Sequence, residues 1–189
     1  SADSASRPNI VLILADDMGR GDIGCYGGKL APTPHLDRLA SEGTRFGQYY
    51  SASPICSPSR IGLSTGQYPQ RWRITSYLEF REVNTARGMA QWLDPQAPML
   101  ARMLRDAGYA TCCSGKWHLG YTERFSPNAH GFDEYFGILG GNADYYKHTE
   151  EDGANVLYQN GRPVQREGYV TDLIGEAAVN WLGTRSRHR

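Results

Sequence analysis

Asn9-Ile10-Val11-Leu12-Ile13-Leu14-Ala15, followed at once by Asp16-Asp17-Met18-Gly19, is the stretch on which the fold turns. An unbroken apolar run stopped by polar residues predicts a strand buried on both faces, as in a parallel sheet covered by helices. Open α/β sheets hold their ligands just beyond the carboxyl ends of such strands. Two adjacent carboxylates there repel each other unless a proton or a cation intervenes, and hard divalent ions such as Ca²⁺ or Mg²⁺ take oxygen donors of this kind. Read alone, the pair is better explained by one aspartate capping the next turn and the other in solvent.

Downstream, helices and strands alternate. Residues 33–43 read as a helix with a Thr33 cap, Pro34 in the first turn and Gly43 as the stop. Apolar residues at helical spacing over 99–106, with Gly108 behind them, predict another. Tyr109-Ala110-Thr111-Cys112-Cys113 has the composition of a strand. It delivers Gly115-Lys116-Trp117-His118-Leu119-Gly120 at a second strand end, where residues two apart point the same way in extended chain. Lys116 and His118 can thereby reach one site with Trp117 behind them, although a Lys-x-His pair alone reads more readily as solvated surface. Asn160-Gly161 marks a hairpin, and residues 169–182 form an amphipathic helix. The alternation predicts an α/β chain of three layers, a mostly parallel sheet with helices on both faces.

Cys56-Ser57-Pro58-Ser59-Arg60, followed by Ile61-Gly62-Leu63-Ser64-Thr65-Gly66, carries the chemistry. Pro58 suits a first helical turn, with Ser57 or Cys56 near the cap. Backbone N–H groups and the helix dipole there favour an anion, and Arg60 adds a forked, permanent cation. A thiol in that setting is acidified and nucleophilic, whereas a small buried cysteine capping a core helix is the plainer alternative.

Cys-x-Pro-Ser-Arg-x-x-Leu-x-Thr-Gly resembles the signature of the type I sulfatases, in which the cysteine is oxidised to Cα-formylglycine. Gln67 stands where the family usually has Arg, and Arg20 where it often has an aromatic residue. The resemblance extends to Asp16 and Asp17 as calcium ligands after the first strand, with the residue at 56 as a further metal ligand. It extends also to Gly-Lys-Trp-His-Leu-Gly, whose Lys116 and His118 would contact sulfate and formylglycine. Gly131-Phe132-Asp133-Glu134-Tyr135-Phe136-Gly137 also resembles the family, and the stretch 139–148 is similar to that of arylsulfatase B-like members, a resemblance that implies Asn142 and His148 at the border of the substrate. The implied fold is the alkaline-phosphatase-like sandwich of the sulfatases. Two aspartates, one formylglycine oxygen and one sulfate oxygen fall short of the about six to eight oxygens calcium takes. Residues 1–189 therefore read as the N-terminal part of a single catalytic domain whose remainder is absent.

The implied activity is hydrolysis of sulfate monoesters, aryl sulfates or sulfated glycans, with Cys56, Arg60, Lys116 and His118 as catalytic residues and Lys116 also binding substrate. Ca²⁺ is the implied metal, with Mg²⁺ as the alternative, and a formylglycine-generating enzyme is the implied partner. Two other readings stand beside it: a phosphonate or phosphate monoester hydrolase of the same superfamily, and an inactive fragment that keeps anion or metal affinity. The 20 basic and 20 acidic residues cancel, so nothing points to a nucleic-acid or membrane-surface partner. No apolar run reaches the about 18 residues of a membrane span. Cysteines 25, 56, 112 and 113 make no metal-binding spacing, and neighbours such as Cys112 and Cys113 rarely pair. No signal peptide is visible in residues 1–6, and the resemblance favours export, whether periplasmic, secreted or lysosomal.

Overall fold

The computed structural model describes residues 7–186, with the Ser186 side chain left aside. The chain forms two compact units, residues 1–49 and 50–189.

In the first unit the apolar run does not become a strand. Residues 8–15 carry no regular secondary structure, and Ile10 to Leu14 are 49–76 % exposed. The physical reason is pairing: every sheet strand among the described residues lies beyond position 111, so this segment has no ladder to join. The buried strand expected at 9–15 is therefore corrected to an exposed segment without regular secondary structure. Short 3₁₀ turns over Arg20–Asp22 and Gly24–Tyr26 lead to helix α1, Pro34–Glu42. Proline at its start fits, because the N–H that Pro34 lacks is unbonded in a first turn anyway. Thr33 Oγ1 accepts the Gly24 N–H at 2.8 Å, and Asp37 Oδ1 accepts the Cys25 N–H at 2.6 Å. These two bonds tie the helix start to the preceding turn.

The second unit holds helices α2 (Cys56–Thr65), α3 (Arg81–Ala86), α4 (Leu100–Asp106) and α5 (Val170–Ser186). Its strands are β1 (Cys112–Ser114), β2 (Glu134–Ile138), β3 (Leu157–Gln159) and β4 (Arg162–Pro163), ordered β1-β2-β3-β4. β1 and β2 run parallel with Cys113 opposite Tyr135, while β2–β3 and β3–β4 are antiparallel. The sheet is thus mixed, with the parallel arrangement confined to the pair that carries the Lys116–His118 turn. A tight turn at Asn160 and Gly161, both with positive φ (47° and 78°), makes the expected hairpin.

Gly137, at φ 152°, lets β2 approach β1: a Cβ there would lie 2.0 Å from the Gly115 carbonyl oxygen. Helix α5 packs on the sheet, its Ile174 carbonyl accepting from Ser114 Oγ at 2.8 Å. One apolar cluster gathers Ile61 of α2 with Ile74, Leu78, Leu93, Met99, Trp117, Leu119, Tyr135 and Leu139. A second holds Ile138, Val156, Leu157 and Val170 under α5. The first cluster is what presses α2 against the end of β1.

Candidate functional site

Helix α2 starts at Cys56 itself. Ile55 is the residue before it and offers no side-chain acceptor, Pro58 has no N–H to place, and the first helical bond runs from Ser59 N to Ile55 O at 3.0 Å. Cys56 thus stands half-buried in the first turn, where backbone donors face outward. Gly66 closes the helix in the left-handed conformation at φ 66°.

The partner segment leaves β1 alongside β2. Gly115 N, Trp117 N and His118 N donate to the carbonyls of Phe136, Ile138 and Leu139 at 2.8, 2.9 and 3.0 Å. Trp117 is buried with its indole N–H on the Phe125 carbonyl at 2.8 Å, as a packing residue behind the site should be. His118 departs from extended geometry at φ 55°, a conformation that costs a non-glycine residue and recurs at functional sites. Simple alternation of Lys116 and His118 is thereby replaced by a kink at His118.

Two bonds join α2 to this segment. Arg60 Nη1 donates to the Lys116 carbonyl. Ser57, with no exposed surface, donates from Oγ to the His118 carbonyl at 2.8 Å and accepts the Leu78 N–H at 3.0 Å. Leu78 closes the ring, since its carbonyl receives His118 Nε2 at 2.9 Å and the Tyr121 hydroxyl at 2.6 Å. Ser57 and Arg60 of α2, the helix that begins at Cys56, are thus tied to the main chain of His118 and Lys116, with the Ser57–Leu78–His118 bonds buried. Such contacts hold geometry more firmly than exposed ones.

The electrostatics agree with this crowding. Burial pushes the Cys113 thiol up to about 12, the neighbouring Cys112 adds to the rise, and Arg60 opposes it. Burial likewise raises the Tyr121 phenol, followed by the negative charges of Glu150, Cys56 and Glu79. All four cysteines are free thiols.

Asn142 is exposed and follows Gly141, where a Cβ would lie 2.5 Å from Cε1 of the His118 ring. His148 goes elsewhere. It is buried at 2 % exposure, with Nε2 on the Gly168 carbonyl at 2.9 Å, so it anchors the 144–148 turn and does not border open space. Asp16 and Asp17 lie exposed in the first unit, Asp17 at φ 58°. Their hard oxygens match a divalent cation in donor type. Among the described residues no group of three or more His, Cys, Asp or Glu side chains is arranged to hold a metal. No helix there is long and apolar enough to cross a membrane.

Sequence reasoning missed Ser57 as a bridge, the Leu78 main chain, Tyr121 and Gly141. Ser57 and Tyr121 adjoin the two motifs, which is the available signal. A backbone carbonyl leaves none.

The Sulfatase family profile matches residues 8–188. Human N-acetylgalactosamine-6-sulfatase is 36 % identical over 195 residues, covering 96 % of this chain and 37 % of the relative. Mouse steryl-sulfatase is 44 % identical over 137 residues, covering 69 % of this chain and 22 % of the relative. Among solved structures, Ps i-CgsB superposes with a TM-score of 0.83 at 36 % identity, covering 94 % of this chain and 42 % of that one. The same neighbour has been solved with k-i-k-neocarrahexaose, at a TM-score of 0.82. The chain spans well under half the length of these relatives, yet the profile runs through both units and the neighbours share their α/β fold. On that match, and on the cysteine turn it contains, the chain belongs to the sulfatase family.

Proposed function

We propose that this chain carries the nucleophile half of a sulfate monoester hydrolase, and that Cys56 acts as Cα-formylglycine. One observation carries the reading: Ser57 and Arg60, flanking residue 56 on α2, bond to the main chain of the two motif residues His118 and Lys116. An aldehyde at 56 hydrates to a geminal diol. One hydroxyl attacks the ester sulfur in line, the S–O bond to the alcohol breaks, and the alcohol departs with a proton. The product is a sulfate half-ester on the carbon of residue 56. The helix N-terminus, Arg60 and Lys116 stabilise the charge on the non-bridging oxygens. His118 then takes the proton of the remaining hydroxyl, the carbon–oxygen bond to sulfate breaks, and the aldehyde re-forms. A cysteine thiol has no second hydroxyl, so its sulfated adduct would not turn over.

Asp16 and Asp17 would offer hard oxygen donors to a divalent cation, Ca²⁺ or Mg²⁺. When bound, such a cation supplies Lewis-acid charge. The exposed Ile10–Leu14 run supports reading the chain as the N-terminal part of one catalytic domain, because such a segment suits pairing within a larger sheet. A sulfated glycan is the favoured substrate class. The relative named N-acetylgalactosamine-6-sulfatase and the neighbour solved with an oligosaccharide support it, while the steryl-sulfatase relative keeps small aryl and steryl sulfates in view. Export and a formylglycine-generating enzyme as partner belong to the same reading.

Kinetics on an aryl sulfate and an aryl phosphonate side by side test the reaction class. Sulfate should be preferred, and Cys56→Ala should lower the rate about a thousand-fold or more. Preference for the phosphonate ester would contradict it.

A further inference from the structure

We infer that the Leu78 carbonyl, which His118 shares with Tyr121, fixes which ring nitrogen of His118 the site presents. The inference rests on the proposed role of His118 for its consequence, and on geometry for its content. A carbonyl oxygen only accepts, so the Nε2 that meets Leu78 O at 2.9 Å carries the proton. In the neutral ring Nδ1 then holds the lone pair. The Tyr121 hydroxyl donates to the same oxygen at 2.6 Å, which engages both lone pairs of that carbonyl. Its ring also meets the imidazole edge-on, with centroids 6.2 Å apart and planes at 82°.

Leu78 is held at its other end by Ser57 Oγ, 3.0 Å from its N–H. The imidazole has little room to turn: it is 4 % exposed, and Gly141 packs so close that a Cβ there would lie 2.5 Å from Cε1 and 2.7 Å from Nε2. Turning the ring over would carry Nε2 away from the Leu78 carbonyl and leave a buried acceptor short of one donor. Burial also keeps the Tyr121 phenol protonated through the range in which an imidazole titrates, so the donor is always present. The proton that His118 exchanges with the reacting group therefore passes through Nδ1, while Nε2–H stays committed to the scaffold.

Long-range ¹⁵N–¹H correlation spectra of the ¹⁵N-labelled chain read the tautomer without any turnover. A chain that fails to hydrolyse sulfate esters can still meet the expectation, and an active hydrolase can fail it. Wild-type His118 should show a protonated Nε2 and an unprotonated Nδ1 near neutral pH. In a folded Tyr121→Phe variant the Nε2–H to Nδ1–H ratio should hold or rise by up to about 10-fold, because the imidazole is then the remaining donor of this pair to the Leu78 carbonyl. His130, whose ring nitrogens lie 2.9 and 3.3 Å from the Ser126 and Leu93 carbonyls, should keep its spectrum as an internal control. If the variant does not fold, the wild-type Tyr121 hydroxyl proton decides, being slow to exchange when bonded to Leu78 O. An Nδ1–H tautomer in the wild type, a fallen ratio in folded Tyr121→Phe, or a freely exchanging Tyr121 hydroxyl would overturn the inference.

Discussion

At Gly141 the space for a side chain is already taken by the His118 ring, so the smallest possible addition moves the imidazole or the loop that carries it. Gly141→Ala should destabilise the second unit by about 1–3 kcal/mol through overpacking, read by urea unfolding, and should perturb the His118 ring signals. An unchanged midpoint together with unchanged His118 signals would mean that the close approach does not exist in solution. The residues of the two motifs were legible in the chain because their chemistry is unusual at that spacing: a cysteine before Ser-Pro-Ser-Arg, and a Lys-Trp-His between glycines. What joins them was not legible. The Leu78 carbonyl belongs to the main chain, which every residue has, and the left-handed backbone of His118 is a conformation no histidine announces. His148 shows the opposite failure, since a polar, glycine-rich neighbourhood suggested open surface while its ring is bonded inside.

Helix α2 is the element that does most for the candidate site, because it begins at Cys56 and its Ile61 anchors it in the main apolar cluster. Its start, α1 with Pro34, α4 with Gly108 behind it and the Asn160-Gly161 hairpin follow from local punctuation, and all stand close to where composition puts them. The run at 9–15 does not, because apolar composition states a preference for burial and says nothing of whether a neighbouring strand is there to satisfy it. β1 likewise forms only where β2 runs beside it, at 112–114. The contrast makes an element-level prediction. Ile13→Lys, at a position 76 % exposed, should shift stability by no more than about 0.5 kcal/mol, whereas Leu157→Ala, fully buried in β3, should cost about 2–5 kcal/mol. Urea unfolding of both variants checks this, and a large loss for Ile13→Lys would mean the run is packed after all.

For the molecule as a whole, pH acts on stability through His130, which has no exposed surface and lies beside Trp117, their ring centroids 5.0 Å apart. Burial lowers its pKa below the ordinary 6.5, outweighing the Ser126 and Leu93 carbonyls that favour the charged ring. The unfolded chain therefore takes up this proton first as pH falls. The stability from keeping the ring neutral is present above about 6.5 and is lost as pH drops from there toward the folded pKa. The thermal midpoint should fall between about pH 7 and about pH 5, and His130→Gln should flatten that slope; an equal slope in the variant would assign the effect to other groups.

The central claim is that residue 56 is shaped to become an aldehyde at the start of a helix, with Arg60, Lys116 and His118 gathered around it. Mass spectrometry of the proteolytic peptide containing position 56, from chain co-expressed with a formylglycine-generating enzyme, tests it most directly. The account predicts a species lighter than the thiol peptide by about 18 Da that reacts with carbonyl reagents, as covalent catalysis through an aldehyde hydrate requires. A peptide that keeps its thiol in full, while a sulfatase expressed alongside it under the same conditions is converted, would contradict the account.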